Sequence, residues 1–581
     1  MKGTRRLPSA GSIAVVAGAA AVILFLVWPM VFTSSGMAQD WSNHLWYIWR
    51  QSISIDHNHQ PSLFLDYGGS VFYPFYAFYG GTIYALAGTL SLLLGHAPTT
   101  AYVASYVFGF VASYAGWYWL ARTAGLGRWE AQVPALLFIS SAYYLTLIYA
   151  RGDWAEFVAV SALPLLAAAA LRVLLARRMP IGWGIVLACS ALVFFGSHNI
   201  TMLWAVSAFV IAGAVVALAV PQARRLVTRR GAIRVAAIVL PAALVNAWYL
   251  LPALAYGQRS SIASTYEYGQ SLRSLSILVN TQHLFTFSRA SVVESTPDFV
   301  LALPILAIAW VLLSIVISLR LRGNAPWRRL LWIFAGLGIF FAVLMTHVGL
   351  ILDLPRPYTL VQFSYRLETY ILIALSAAAV AVMVLARSWP GRWRLWSWTA
   401  VLVLLASAVG AIEQVDAYPR GGGFPGVVVP DRYRVFEPPQ PPFSGGLGDY
   451  NDASLPLVEP AGTPQGIVFP TTDGEEISLA VNLPAGTLVH TNLTGAPYLV
   501  AVSGAKVVGH DQSGNMVLSL GPFEGSSHVV TLKRSSRAPV LIGRIISRVA
   551  LIALLLALVV GLTARVRRRG AAEQTPVEGI A

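Results

Sequence analysis

Four short stretches of this chain bring ionisable side chains together at spacings that can do chemistry. In Gln39-Asp40-Trp41-Ser42-Asn43-His44, the carboxylate and the imidazole stand four residues apart and share one face of a helix. Asp40 can take the proton of an acceptor hydroxyl or hold a cation, or it can cap the helix that follows. In Ala150-Arg151-Gly152-Asp153-Trp154-Ala155-Glu156-Phe157, one guanidinium and two carboxylates are compressed into a tight loop. The plain alternative there is a surface Arg–Asp pair, which contributes little stability. Ser197-His198-Asn199 offers a lone imidazole, fit for catalysis or simply for a hydrogen bond at a helix end. Gln362-Phe363-Ser364-Tyr365-Arg366-Leu367-Glu368 carries an arginine of a type that grips phosphate bidentately. Arg366 therefore suits a lipid-phosphate donor, or a headgroup anchor.

The elements that position these residues are membrane helices. Of the 581 residues, 56% are hydrophobic and 11% charged, against roughly 25% charged in an average soluble domain. Such a chain cannot cover itself with a water-compatible surface, which excludes an ordinary cytosolic enzyme and a disordered protein. The formal charge is +15, from 40 basic and 25 acidic residues. At so low a charge density this does not make a nucleic-acid surface. The excess is almost all arginine, since Lys2, Lys506 and Lys533 are the only lysines. The one cysteine, Cys189, lies in an apolar run, so intramolecular disulfides and cysteine metal sites are excluded. Neither Walker, HExxH nor GxSxG motifs occur, which leaves ATP hydrolysis and zinc hydrolysis without support.

About twelve apolar runs are long enough for a bilayer-crossing helix of roughly 20 residues. They cover 12–33, 99–121, 131–149, 157–175, 181–197, 201–219, 232–252, 298–319, 329–347, 369–387, 396–413 and 541–564. Positive residues favour the cytoplasmic side of short loops, and Lys2, Arg5 and Arg6 put the N-terminus there. Reading 71–95 as a further span would export the Arg224–Arg234 cluster. Laid along the outer surface as a broken, re-entrant segment, with Pro74 and Gly80-Gly81 as breakers, it leaves every arginine-rich loop inside. The N- and C-termini are then cytoplasmic and all four chemical stretches face outward. The expected organisation is a multi-span domain over 1–413 with an external loop at 34–98, then an outer β-rich domain over 414–540. A last helix at 541–564 and a cytoplasmic tail at 565–581 complete it. In the β-rich part, short alternating runs separated by Gly, Pro, Asn and Asp predict an antiparallel sandwich or jelly roll.

This layout resembles the GT-C superfamily of polytopic glycosyltransferases: Asp40 after the first helix, a long first external loop with surface segment 71–95, and Asp153 in the next external loop. The strings YPFYAFYGG (73–81), ARGDWAEF (150–157), GSHN (196–199) and QFSYRLE (362–368) are similar to those of the 6-pyruvoyl-tetrahydropterin synthase-related, YfhO-like membrane proteins. The resemblance implies sugar transfer from a polyprenyl-phosphate-linked donor to a cell-envelope glycan, lipid or protein on the extracytoplasmic face of a bacterial plasma membrane. Asp40 would be the general base. Asp153, with Glu156 and His44, would position the acceptor or hold a divalent cation such as Mg2+ or Mn2+, with Asp40 and Asp153 as the metal candidates. Arg366, with His198, Arg151 and Tyr365, would hold the donor phosphate. Neither loop contains DxD, a departure that bears on metal dependence. A flippase of lipid-linked glycans and a non-catalytic scaffold are the competing readings. A transporter would be expected to show inverted repeats, and none is visible.

Overall fold

The computed structural model describes residues 10–32, most of 41–257, 305–320, most of 324–400, 456–458 and most of 469–573. Asp40, the segment 258–304 and residues 401–455 lie outside the described residues. With them go most of the third external region and nearly all of the expected span at 396–413.

The protein is a mostly helical membrane protein with a small antiparallel β unit near its C-terminus. Helices α1 (Ala10–Phe32) and α2 (Trp41–Asn58) are followed by a two-stranded pairing of β1 (Leu65–Asp66) with β2 (Phe72–Tyr73). Next come α3 (Phe75–Phe78), α4 (Gly81–Leu93), α5 (Pro98–Thr123), α6 (Gln132–Ile139), α7 (Ala142–Tyr149), α8 (Trp154–Leu175), α9 (Ile181–Phe195) and α10 (Asn199–Ala219). The helical part continues with α11 (Pro221–Leu226), α12 (Arg229–Leu244), α13 (Ala247–Tyr256), α14 (Ile305–Arg320), α15 (Ala325–Thr346), α16 (Val348–Leu352), α17 (Arg356–Thr359) and α18 (Glu368–Ala386). A 3-10 turn, Ser364–Leu367, leads into α18.

Among the described residues, 5 helices are long and apolar enough to cross a membrane. The number rises to 7 if the bent pairs α6–α7 and α12–α13 each count as one span. The described residues thus show fewer than twelve spans, and two of the expected runs are bent within them. The expected span 131–149 breaks at Ser140-Ser141, with a 42° bend. The run 232–252 turns by 69° at Val245-Asn246. Segment 71–95 is broken, as its sequence leads one to expect, into β2, α3 and the 13-residue α4. Gly80 caps α4 at φ 65°, and a Cβ there would overlap the carbonyl oxygen of Ser197. Only glycine serves both requirements, so this residue fits the start of α4 against the Ser197-His198 corner.

The buried helices differ from the lipid-facing ones. In α18 most residues are buried, including Tyr370, Leu372, Ala379 and Val382. On α10 and the last helix, α19 (Ala538–Glu573), large apolar side chains such as Val210, Leu218, Val559 and Val560 stand exposed. In water that surface would be costly; against lipid tails it is the ordinary outer face of a spanning helix.

Near the C-terminus, strands β3 (Phe469–Pro470), β4 (Glu476–Ala480), β5 (Leu488–Thr494), β6 (Leu499–Ser503), β7 (Ala505–His510), β8 (Asn515–Leu520) and β9 (Val529–Arg534) form two antiparallel sheets. Their orders are β3-β4-β9-β6 and β5-β8-β7. Gly504, at φ 72°, lets the chain leave β6 in one sheet and enter β7 in the other. Val489, Met516, Leu518, Val530 and Leu532 pack between the sheets, and the same cluster takes in Leu63, Ala77, Trp248 and Tyr249. The β unit is therefore seated on the end of the bundle that carries α3 and α13.

Candidate active site

Arg151, Asp153, Glu156, His198, Tyr365 and Arg366, drawn from three distant stretches, converge in one buried cluster. Each is at most 7% exposed. The α7–α8 turn supplies the first three. Gly152, at φ 65°, bends the chain so that Asp153 caps α8, its Oδ1 accepting from the Glu156 backbone N–H at 3.2 Å. The same turn aims Arg151 back at both carboxylates: Nη2 lies 2.6 Å from Asp153 Oδ2, and Nη1 lies 3.2 Å from Glu156 Oε2. Arg366 reaches the same oxygens from the 3-10 turn before α18, at 3.3 Å to Asp153 Oδ2 and 3.1 Å to Glu156 Oε2. Two guanidiniums and two carboxylates thus form a charge-balanced tetrad. The expected alternative of a surface Arg–Asp pair does not hold, because both partners are out of water. Tyr365 lies beneath the Arg151 guanidinium, 4.9 Å from ring centre to carbon, a favourable cation–π geometry.

His198 caps α10. Its Nδ1 accepts from the Thr201 backbone N–H at 3.3 Å and lies 2.8 Å from Thr201 Oγ1. One ligating atom from each of Asp153, Glu156 and His198 lies within 4.8 Å of the others, the one three-residue grouping among the described residues close enough to be tested as a metal site. His44, near the start of α2, packs against the rings of Tyr79 and Tyr84, which also meet each other, with Nδ1 2.6 Å from Tyr84 Oη. Asp40 itself lies outside the described residues, immediately before α2.

Burial shapes the charges here. It pulls the His198 imidazole down to about 3, with the Arg366 guanidinium pressing the same way, and it pulls His44 down to about 4 against the opposing attraction of Asp153. Both rings are neutral at physiological pH. For Asp153 burial alone would raise the carboxyl, but Arg151 and Arg366 outweigh it and hold the group well below the usual carboxylate range.

Sequence reasoning missed Tyr79, Tyr84 and Tyr143. Tyr79 donates to Asp153 Oδ1 at 3.3 Å while its ring meets both His44 and His198, so it joins the α2 side to the tetrad. Tyr143 donates to Glu156 Oε1 at 2.9 Å. The signal was available: a tyrosine in an apolar run must find a partner for its hydroxyl when buried.

No family model and no curated protein matches this chain. Among solved structures it is similar to the arabinofuranosyltransferase AftD from Mycobacteria, at 18% identity and TM-score 0.45, over 69% of this chain and 27% of that one. It is also similar to an oligosaccharyltransferase from Archaeoglobus fulgidus, at 15% identity and TM-score 0.43, over 71% of this chain and 56% of that one. A third is ArnT from Cupriavidus metallidurans, solved with undecaprenyl phosphate bound, at 12% identity and TM-score 0.38, over 71% of this chain and 75% of that one. The chain spans about a quarter of AftD and just over half of the oligosaccharyltransferase. By name, the first two transfer arabinofuranosyl and oligosaccharyl groups; the YfhO-like grouping that the short sequence strings resemble has no counterpart among these three. Likenesses this remote concern the course of the chain and assign no chemistry.

Proposed function

We propose that this protein is a GT-C-type glycosyltransferase, moving a sugar from a polyprenyl-phosphate donor to a cell-envelope glycan, lipid or protein acceptor on the extracytoplasmic face. The observation that carries this reading is the buried convergence of Arg151, Asp153, Glu156, His198, Tyr365 and Arg366 at the end of the bundle where the β unit is seated. Charges buried in a membrane protein are expensive and mark sites of function.

In the reaction, a bond forms between the acceptor oxygen and the anomeric carbon while the bond from that carbon to the donor phosphate breaks. The acceptor's proton passes to the Asp40 carboxylate, four residues before His44 in the sequence. The electron pair leaves with the polyprenyl phosphate, whose growing negative charge Arg151, Arg366 and His198 stabilise. Asp153 and Glu156 hold the two guanidiniums in register for that anion and orient the acceptor, and the β unit covers the acceptor's approach.

The test compares cell-envelope glycans by mass spectrometry in cells carrying wild-type protein or Asp40→Asn, with protein amounts matched. Loss of one glycosyl substituent is expected. Unchanged glycans at normal protein level would overturn the reading.

A further inference from the structure

A divalent cation at the Asp153–Glu156–His198 grouping needs free lone pairs, and the hydrogen-bond census leaves almost none. An ionised carboxylate offers about four lone-pair sites. Those of Asp153 face the Glu156 N–H, Tyr79 Oη, Arg151 Nη2 and Arg366 Nη2. Two of those of Glu156 face Tyr143 Oη and Arg151 Nη1, and the Arg366 guanidinium stands 3.1 Å from Oε2 as an ion pair. His198 spends its Nδ1 lone pair on the Thr201 backbone N–H. A neutral ring that accepts at Nδ1 carries its proton on Nε2, so neither nitrogen is left to ligate. A cation ligated by these carboxylates would have to displace the two guanidiniums already paired with them. The unfilled capacity of the cluster is of the opposite kind. His198 Nε2–H is buried without a hydrogen-bond partner among the described residues, and Arg151 has N–H groups beyond the two that bond carboxylates.

We infer that this cluster does not take a divalent cation: Arg151 and Arg366 supply the positive charge a metal would bring, and the cluster is built to receive an anion. Naming that anion as a phosphate group rests on the transfer reading above; the absence of a cation from the cluster does not.

The experiment uses the full chain in nanodiscs, with Mn2+ alone as one probe and inorganic phosphate as the other. Mn2+ binding is followed by electron paramagnetic resonance in wild type, Asp153→Asn and Glu156→Gln. Expected is no tight Mn2+ binding, or binding that both substitutions leave unchanged. Stoichiometric binding in wild type that either substitution abolishes would overturn the inference while leaving a metal-dependent transferase in place. Inorganic phosphate is expected to raise the wild-type melting temperature, with a smaller rise in His198→Asn, which keeps a capping side chain but loses the Nε2–H. No phosphate response in wild type would overturn the anion half. Arg151→Lys, which keeps the charge but not the fork, provides a second comparison should His198→Asn fold poorly.

Discussion

At one end of the helical bundle, arginines close off helix C-termini; at the other, they are buried between carboxylates. Arg234 donates to the carbonyl of Ala176 after α8 at 2.9 Å, and Arg329 to Ala219 at the end of α10 at 2.9 Å. Arg387, following α18, donates to Gly125 beyond α5 at 2.8 Å and pairs with Glu130, both partners partly exposed. The opposite ends of the same helices α8, α10 and α18 carry Asp153, His198 and Arg366. A 22-residue helix such as α8 separates the two by about 33 Å. Rim arginines meet unpaired carbonyls at the negative end of the helix dipole, with water in reach, and do work that any cation in the last turn can do. The buried arginines have no water to fall back on, so their presence demands partners placed to a few tenths of an ångström. The lesson is that arginine count says little here, whereas burial separates anchoring from chemistry.

The largest effect should come from breaking the tetrad. Arg366→Gln leaves two carboxylates facing one guanidinium out of water and is expected to cost about 3–5 kcal/mol, read as a lower melting temperature in detergent. Adding Glu156→Gln restores neutrality and should recover part of that loss. If the single variant melts like wild type, the buried end is no different from the rim.

An intermediate effect is expected from acid. His44 and His198 have folded values near 4 and 3, below the 6.5 of an unfolded imidazole. The unfolded chain therefore binds protons that the folded one refuses, and stability rises with pH across that window. The contribution is fully present above about pH 6.5 and is lost progressively as pH falls toward 4 and 3. Melting curves between pH 7 and pH 4 should show the decline, and it should flatten in a variant lacking both imidazoles.

At the rim the effect should be smallest. Arg387→Gln removes a partly exposed ion pair and a carbonyl bond, and about 0–1 kcal/mol is expected. A loss as large as that of Arg366→Gln would erase the contrast between the two ends.

Much of the site was legible from types and spacing. Arg151, Asp153 and Glu156 sit within six residues of chain, so a turn alone brings them together, and Gly152 marks that turn. The β strands could be read too, because alternation with turn residues is a local property, and the alternating runs between 476 and 534 hold β4 to β9. Span continuity was harder to read. Hydropathy sums over a window and does not register a bend, so α6–α7 and α12–α13 looked like single helices. Tyr79 and Tyr143 were hidden for a related reason, since within an apolar run a tyrosine looks like any other core aromatic.

By itself, the sequence determined that the chain belongs in a membrane, where the arginine-rich loops fall, and which few charges lack a rim location. Those follow from composition and from the cost of burying charge. Only the tertiary structure decided that residues 151 and 366 share one pair of carboxylates, 213 positions from the bond donor Arg366 to Asp153. It alone decided that His198 spends a lone pair on its own helix. Which lone pairs remain free depends on hydrogen bonds between segments far apart in the chain, and that accounting separates a site for a cation from a site for an anion.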